Sequence, residues 1–592
     1  MHRMRIGFAV VVTVVLAGAG AAVQACGNNN TTTNGFDSGD DMVAVDVTTD
    51  GGGDGSAADT GTGEVGCLVG CTDSGPPPPP NSVPVKCADA IARNSYFGCD
   101  YYPTVTLNPV WPNFDFAVAV SNPHGTMADM QDVTVTISGG ALQQPMQVVV
   151  PAGQVQSIPL PWVPALKGPT FDNNTAVRDP GASRIVTAGA YHLTTDYPVS
   201  VYQFSALEYA LTQADLVEAG VDAAIGSCPG YSGDGGAQAC YAYSNDASLL
   251  LPTNVATGDY GILAWPSFAA TPGFLTVVAT MDGTNVTVYP AGRTQGVPDA
   301  GPPLLLRGDT VTYQLNTGDV LEMFSDTGDI HNAVYTQDLS GTIVHADQPV
   351  ITYAGHGCTF IPQNKRACDH LESSMFPIET LGSAYVVTLP HTPHMEHEWV
   401  RIMAFYDKTK IAFDPPVSGY NGAILNTGEV LDMPDVDKPF AMLANGRVAV
   451  ATYQLGEFAN FPDDAAVPNP DEGDPSETPA IPITQYRTQY TFLAPGTYEE
   501  NWADLVIPLD KGGNPVQVIL DGNAIDPSQC QQVGSQPFCV IHEQFPPNGP
   551  EGHTATSQYG FGLYVYGYGS RTSYMYPGGL DLEKLAIPPP PM

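Results

Sequence analysis

Positive charge is what this 592-residue chain has least of: 20 Lys and Arg stand against 61 Asp and Glu, for a net charge of −41. A surface so one-sided repels nucleic acid and anionic lipid head groups, so neither is an expected partner. Catalytic signatures are missing too. The chain contains no G-x-S-x-G elbow, phosphate loop, dinucleotide fingerprint or H-E-x-x-H pair, which removes the commonest sequence routes to an enzyme assignment. No calcium loop of the D-x-D-x-D-G type accompanies the acidity, so solubility is the reading for most of that charge. Helical periodicity is weak throughout, "SALEYALTQADLVEAG" (205–220) being the one candidate. The weak helical signal leaves an all-β chain as the expectation.

Arg3 and Arg5 precede an apolar run from Gly7 to Val23 that ends in small residues, the pattern of an export signal. The run is rich in Gly and Ala and has no basic stop-transfer residues behind it, which argues against a membrane-spanning anchor. It closes on "VQAC" (23–26), which resembles the lipobox of bacterial lipoproteins. That resemblance implies cleavage after residue 25, a lipid on Cys26 and, with Gly27 following, an outer-membrane destination. From Gly27 to Val85 there is no Lys or Arg, and Asn, Thr, Gly, Asp and Ser dominate before "PPPPP" (76–80). Such a segment buries too little apolar surface to offset its ordering entropy, so residues 26–83 read as an acidic tether stiffened at its far end.

Eleven cysteines are present, and setting Cys26 aside leaves ten. An even number in an exported chain reads as disulfides. They fall as close neighbours: Cys67 and Cys71, Cys87 and Cys99, Cys228 and Cys240, Cys358 and Cys368, Cys530 and Cys539. The pair at 358 and 368 is flanked by His356 and His370, and residues two apart on an extended chain face one side, so a zinc site competes there with a disulfide. The other four pairs have no such histidines, and an exported thiol pair is more often oxidised than metallated, which favours the disulfide.

A repeat is the most informative feature. "PTNVATGDY" (252–260), "PIETLGSAY" (377–385) and "PITQYRTQY" (482–490) align without gaps, each running from a Pro to a Tyr eight positions on. After each Tyr come apolar strands around Asp-Gly-Thr, Asp-Lys-Thr or Asp-Lys-Gly-Gly, turn residues that predict hairpins. "LNTGDVLEMF" and "LNTGEVLDMP" recur further along, and an earlier unit shows in "FAVAVSNPHGTMADMQDVTVTIS" with "YPVSVYQFS" (197–205). Four units of about a hundred residues suit β-sandwiches and are too long for solenoid or propeller repeats. The expected organisation is an all-β series of tandem antiparallel sandwich-like repeats behind the tether: residues 84–245 with a linker excursion, 246–367, 368–472 and 473–592.

Polar candidates lie in two places. Asp246, Asp369 and Asp474 stand six, eight and eight residues ahead of the repeat prolines. They read either as the lining of an inter-domain site or, with no cationic or nucleophilic companion recurring beside them, as turn caps. "LPHTPHMEHEWV" (389–400) gathers His391, His394, His397, Glu396 and Glu398. It is the best metal candidate, yet no helix is indicated to bring its ligands onto one face.

The stretch "ITYAGHGCTFIPQNKRACDHLESSMFPIETLGSAYVV" (351–387), with "SNDASLLLP", "GDPSETPAIPITQY" and the final "YGFG…SYMYPGGL", resembles the IgG Fc-binding protein N-terminal domain family. Paired cysteines, Cys-x-His, an acidic residue, Pro and Gly-x-x-Tyr carry the likeness, which spans most of 84–585. It implies an extracellular, non-catalytic binding or adhesion module without a cofactor, of the kind found on mucus-associated animal proteins and bacterial surfaces. The expected partner is an extracellular protein or glycan, with the membrane touched only through the lipid. A passive envelope spacer and a metal-dependent hydrolase built on His391, His394 and His397 are the competing readings.

Overall fold

The computed structural model describes residues 83–585 apart from 127–128, 171–179, 229–230, 233–238, 297–300, 328–334, 366–367, 392–396, 457–458, 460–472, 548 and 570–571. Cys26, Cys67 and Cys71 therefore lie outside the described residues, as does His394. Within them Cys87–Cys99, Cys228–Cys240, Cys358–Cys368 and Cys530–Cys539 are disulfide-bonded.

The sheets are antiparallel and repeat one design four times. In the second unit a single long strand, Ile343–Thr359, belongs to two layers. Its first half pairs with Thr284–Tyr289 and Thr257–Gly261, and its second half with Gly273–Ala279 and Asp369–Ser374. Tyr191–Ser205 does the same in the first unit and Gly552–Gly569 in the fourth. In the third unit the long strand is split into Phe440–Ala444 and Val448–Gln454. The sandwich faces bury Val, Ile, Leu and Phe from both layers, for example Val277, Val286, Leu315 and Leu321 in the second unit.

The expected hairpin forms at its tip in the fourth unit, where Leu509 bridges Pro515 across Asp-Lys-Gly-Gly and the Asp510 N–H donates to the Asn514 carbonyl at 2.7 Å. The turns of the second and third units are a correction. Gly273–Ala279 and Thr284–Tyr289 flank Asp-Gly-Thr but never pair with each other; they sit in opposite layers, so the turn is an arch between sheets. Asn-Thr-Gly makes a second arch, and the two are stitched together. The Thr317 N–H donates to Asp282 Oδ1 at 3.0 Å and the Gly283 N–H to Asn316 Oδ1 at 3.2 Å. In the third unit the Thr427 N–H donates to Asp407 Oδ1 at 3.1 Å. Gly318 and Gly428 supply the left-handed backbone this arch needs, at φ of 79° and 74°, a region that a side chain disfavours. The turn chemistry was read correctly as a reversal, but these side chains satisfy the neighbouring arch rather than a two-stranded ladder.

The junction segments, which open the expected units at 246, 368 and 473, pair with the unit before them: Ala247–Leu250 with the first, Asp369–Ser374 with the second, Glu477–Pro479 with the third. Thr572–Pro577 is their counterpart in the fourth. Ala247–Leu250 and Glu477–Pro479 each pack against both Asp369–Ser374 and Thr572–Pro577, and these last two also touch each other. The sandwiches thus stand in a closed ring around them. Closure joins the two ends of the described chain: Ser95 bridges Asp581 as Tyr260 bridges Pro377 and Tyr385 bridges Pro482. The buried Arg487 guanidinium reaches both Ser95 and Asp581. The helical candidate at 205–220 reduces to Gln213–Glu218, capped by Thr212.

The repeat tyrosines explain the conserved spacing within the chain. Tyr260 and Tyr385 are fully buried and donate to the Val350 and Val448 carbonyls at 2.7 and 2.6 Å. Each also accepts an N–H from three residues earlier, Thr257 and Gly382. Tyr490 repeats the pattern on Phe561 and Arg487, and Tyr101, a fourth copy invisible to the alignment, donates to Val199 at 2.6 Å. Each hydroxyl therefore ties the start of a unit to the middle of its long strand. Tyr385→Phe, which leaves the Val448 carbonyl and the Gly382 N–H unanswered, is expected to cost about 1–3 kcal/mol in a urea titration.

Candidate binding site at the unit interfaces

Asp246 is fully buried on the ring axis. Its Oδ2 accepts the N–H of Glu372 at 2.9 Å and of Glu477 at 3.1 Å; its Oδ1 accepts those of Ala247 at 2.9 Å and Met575 at 3.3 Å. One side chain on the first unit's inner strand thus holds a backbone amide from each of the other three. Asp369 accepts from Asn245 N–H at 2.7 Å, His370 N–H at 2.7 Å, Thr572 Oγ1 at 2.8 Å and Ser573 N–H at 3.2 Å. Burial pushes both carboxyls well above the ordinary range, against these amides. Asp246 and Asp369 accordingly line an inter-unit site, but a structural one, and their bonds run between units rather than merely capping local turns; Asp474, buried too, donates its N–H to Ser573 Oγ of the fourth unit at 2.9 Å.

His356 and His370 are also buried beside this axis. The Cys358 N–H donates to His356 Nδ1 at 3.0 Å, and burial, with His370 nearby, lowers the His356 pKa to about 3. Its sulfur neighbours are bonded to each other. Among the described residues no group of three His, Cys, Asp or Glu stands close enough to hold a metal ion.

The His391/His394/His397 loop is divided. His397 Nδ1 lies 2.5 Å from Asp435 of its own unit, whereas His391 packs across the interface on the fourth unit, its ring 4.6 Å from Trp502 and 5.6 Å from His542. Behind them Asp504 Oδ1 accepts from Tyr566 Oη at 2.7 Å and lies 2.6 Å from His542 Nδ1. Glu398 faces the same interface and is raised well above its ordinary range, by burial first and by Asp504 second.

The interface between the second and third units carries residues that the sequence reading passed over. Arg401 is 3 % exposed. It donates to the Ala264 carbonyl at 2.6 Å, Ser340 Oγ at 2.7 Å, Asp338 Oδ2 at 2.5 Å and Asp432 Oδ1 at 2.8 Å, and it lies 5.2 Å from the Trp265 ring. Trp399 donates to the same Asp432 at 3.1 Å. Beside this cradle an open cleft of about 440 Å³ separates Arg307, Gln337 and Asp338 from Gly428 and Glu429. A signal was available in "WVRIMAF": an arginine inside an apolar strand of a chain so poor in cations needs buried partners.

No curated protein matches the chain in sequence. A family model does, over residues 246–567, more than half of the 592 residues and all of the second and third units with most of the fourth. The chain belongs to the family described as IgGFc binding protein.

Proposed function

We propose that this chain is a cell-surface lipoprotein, held by a lipid on Cys26 and an acidic tether, that displays a non-catalytic β-rich module for binding an extracellular protein or glycan. Family membership makes it a binding module; the anchor, the outer-membrane destination and the absence of catalysis are the further steps. The observation that carries the reading is where the recurrent polar groups point. Asp246, Asp369 and the repeat tyrosines turn inward to backbone groups, which assigns them to holding the ring. The inter-unit cleft beside Arg401 is left as a recess open to a ligand. A spacer has no need of such a recess, and a hydrolase needs reactive groups at it rather than capped ones.

Two measurements test this. Cys26→Ser is expected to release the protein from the membrane fraction or leave it as uncleaved precursor, and a variant that fractionates and matures like wild type removes the anchor. The full-length protein, screened against glycan and surface-protein arrays, is expected to retain a ligand whose binding weakens in Arg307→Ala or Glu429→Ala. Turnover of a hydrolase substrate panel, lost on chelation, would favour the enzyme instead.

A further inference from the structure

The interfaces on either side of the third unit are built on one plan with opposite charge. Trp399-Val400-Arg401 and Trp502-Ala503-Asp504 occupy the same strand of the same layer. Their registers agree: Arg401 lies opposite Ala451, which pairs with Pro479, and Asp504 opposite Tyr564, which pairs with Pro577. At the first interface a guanidinium fills the space between two carboxylates beside indole rings. At the second, the equivalent residue is itself a carboxylate, near enough to a second one, Glu398, to raise its pKa. Both are at most 1 % exposed, and Glu398 Oε2 and Asp504 Oδ2 have no hydrogen-bond partner among the described residues. The counterpart of Trp399 is in place: Trp502 is half-buried, and its Nε1 donates to Glu500 Oε2 at 3.0 Å, as Trp399 does to Asp432. Acid pair, indole and rim carboxylate are all there, and among the described residues the imidazoles of His542 and His391 stand beside them where the first interface has a guanidinium.

We propose that the interface between the third and fourth units is a guanidinium-binding site, which takes an arginine side chain of a protein partner between Glu398, Asp504 and the face of Trp502. Two buried carboxylate oxygens without donors favour a cation over any neutral group. The planar guanidinium suits them because it presents several N–H groups at once and stacks on an indole, which an ammonium does less well. The chain's own Arg401, bonded to Asp338 and Asp432 over Trp265, is the internal template. His391 at present covers the Trp502 face, so an entering arginine displaces its ring. The net charge of −41 draws basic partners toward the site.

The proposal rests on reading the chain as a protein-binding module, but its test is separate from the ligand screen. Full-length protein is titrated with acetyl-Gly-Arg-Gly-amide, its lysine counterpart and zinc chloride, followed by tryptophan fluorescence and calorimetry. The arginine peptide is expected to bind and to change the fluorescence. Glu398→Gln and Trp502→Phe, checked for an unreduced melting temperature, should each weaken it about tenfold or more, the loss of one charge-assisted contact. The lysine peptide should bind more weakly. Absent arginine binding, equal lysine binding, or affinity unchanged in Glu398→Gln would overturn the site, and so would stoichiometric zinc that blocks the peptide. If the arginine peptide fails while the screen still yields a protein ligand, this site falls and the binding-module reading stands.

Discussion

Replacing Asp246 with alanine is expected to open the ring. The side chain accepts amides from Glu372, Glu477 and Met575, one on each of the other three inner strands, besides that of Ala247. Those strands are buried, so water does not replace the lost acceptor. A buried donor left without a partner costs roughly 1–3 kcal/mol, and three of them set a floor of about 3 kcal/mol on the loss. Asp246→Asn should cost nearly as much, because its amide turns one acceptor into a donor that faces N–H groups. By contrast a change at the exposed Tyr559, remote from the axis, should move stability little. Urea unfolding of the full chain, with limited proteolysis to show whether inner strands become accessible, provides the measurement. A midpoint equal to wild type would mean that apolar packing alone holds the units together.

The second large effect concerns pH. Asp369 and Glu477 on the axis and Glu398 at the interface are raised well above the ordinary carboxyl range, burial being the first cause in each. Burial also outweighs the attraction of Arg184 for Glu322, pushed up to about 7, and of Arg487 for Asp581, pushed up to about 6. A carboxyl whose folded pKa exceeds its unfolded value binds a proton on folding. Its contribution is full below about pH 4 and is lost as pH rises through the folded value. Exposed arch residues act in the other sense: Asp282 and Asp407 are lowered by hydrogen bonds from Thr317 and Thr427, and their contribution is lost below about pH 4. The stability maximum is therefore expected near pH 4–5, with a melting temperature several degrees higher at pH 5 than at pH 8. A melting temperature that rises steadily from pH 5 to 8 would show that the buried carboxyls fold ionised.

Local chemistry and the repeat were legible in the sequence. Prolines and tyrosines eight positions apart marked equivalent points in three units because each tyrosine must reach one carbonyl in its own long strand, a short-range demand that fixes spacing. Cysteine proximity indicated the four described disulfides, since short loops keep partners within reach. Short apolar strands around turn residues and a weak helical signal were enough for antiparallel β-structure. In the second and third units arches stand where hairpins were expected, because Asp-Gly and Asp-Lys specify a reversal of the chain and not which layer receives the returning strand; only the fourth unit's turn is closed by an antiparallel bridge, Leu509 to Pro515. Tyr101 escaped alignment because its unit starts from "NSYFGCDY" without the proline.

What the sequence by itself determined about this protein is the unit: its β character, its staples and the positions of its reversals, all set by contacts between residues near one another in the chain. The ring was decided only by the tertiary structure. Asp246 meets residues 372, 477 and 575, partners more than a hundred positions away whose common feature is a backbone N–H, which every residue but proline possesses and no pattern advertises. The same holds for the interfaces. Arg401 and Asp504 occupy equivalent places in two repeats, yet whether a charge there is answered or left waiting depends on what the neighbouring unit presents across the gap, and that is a property of packing.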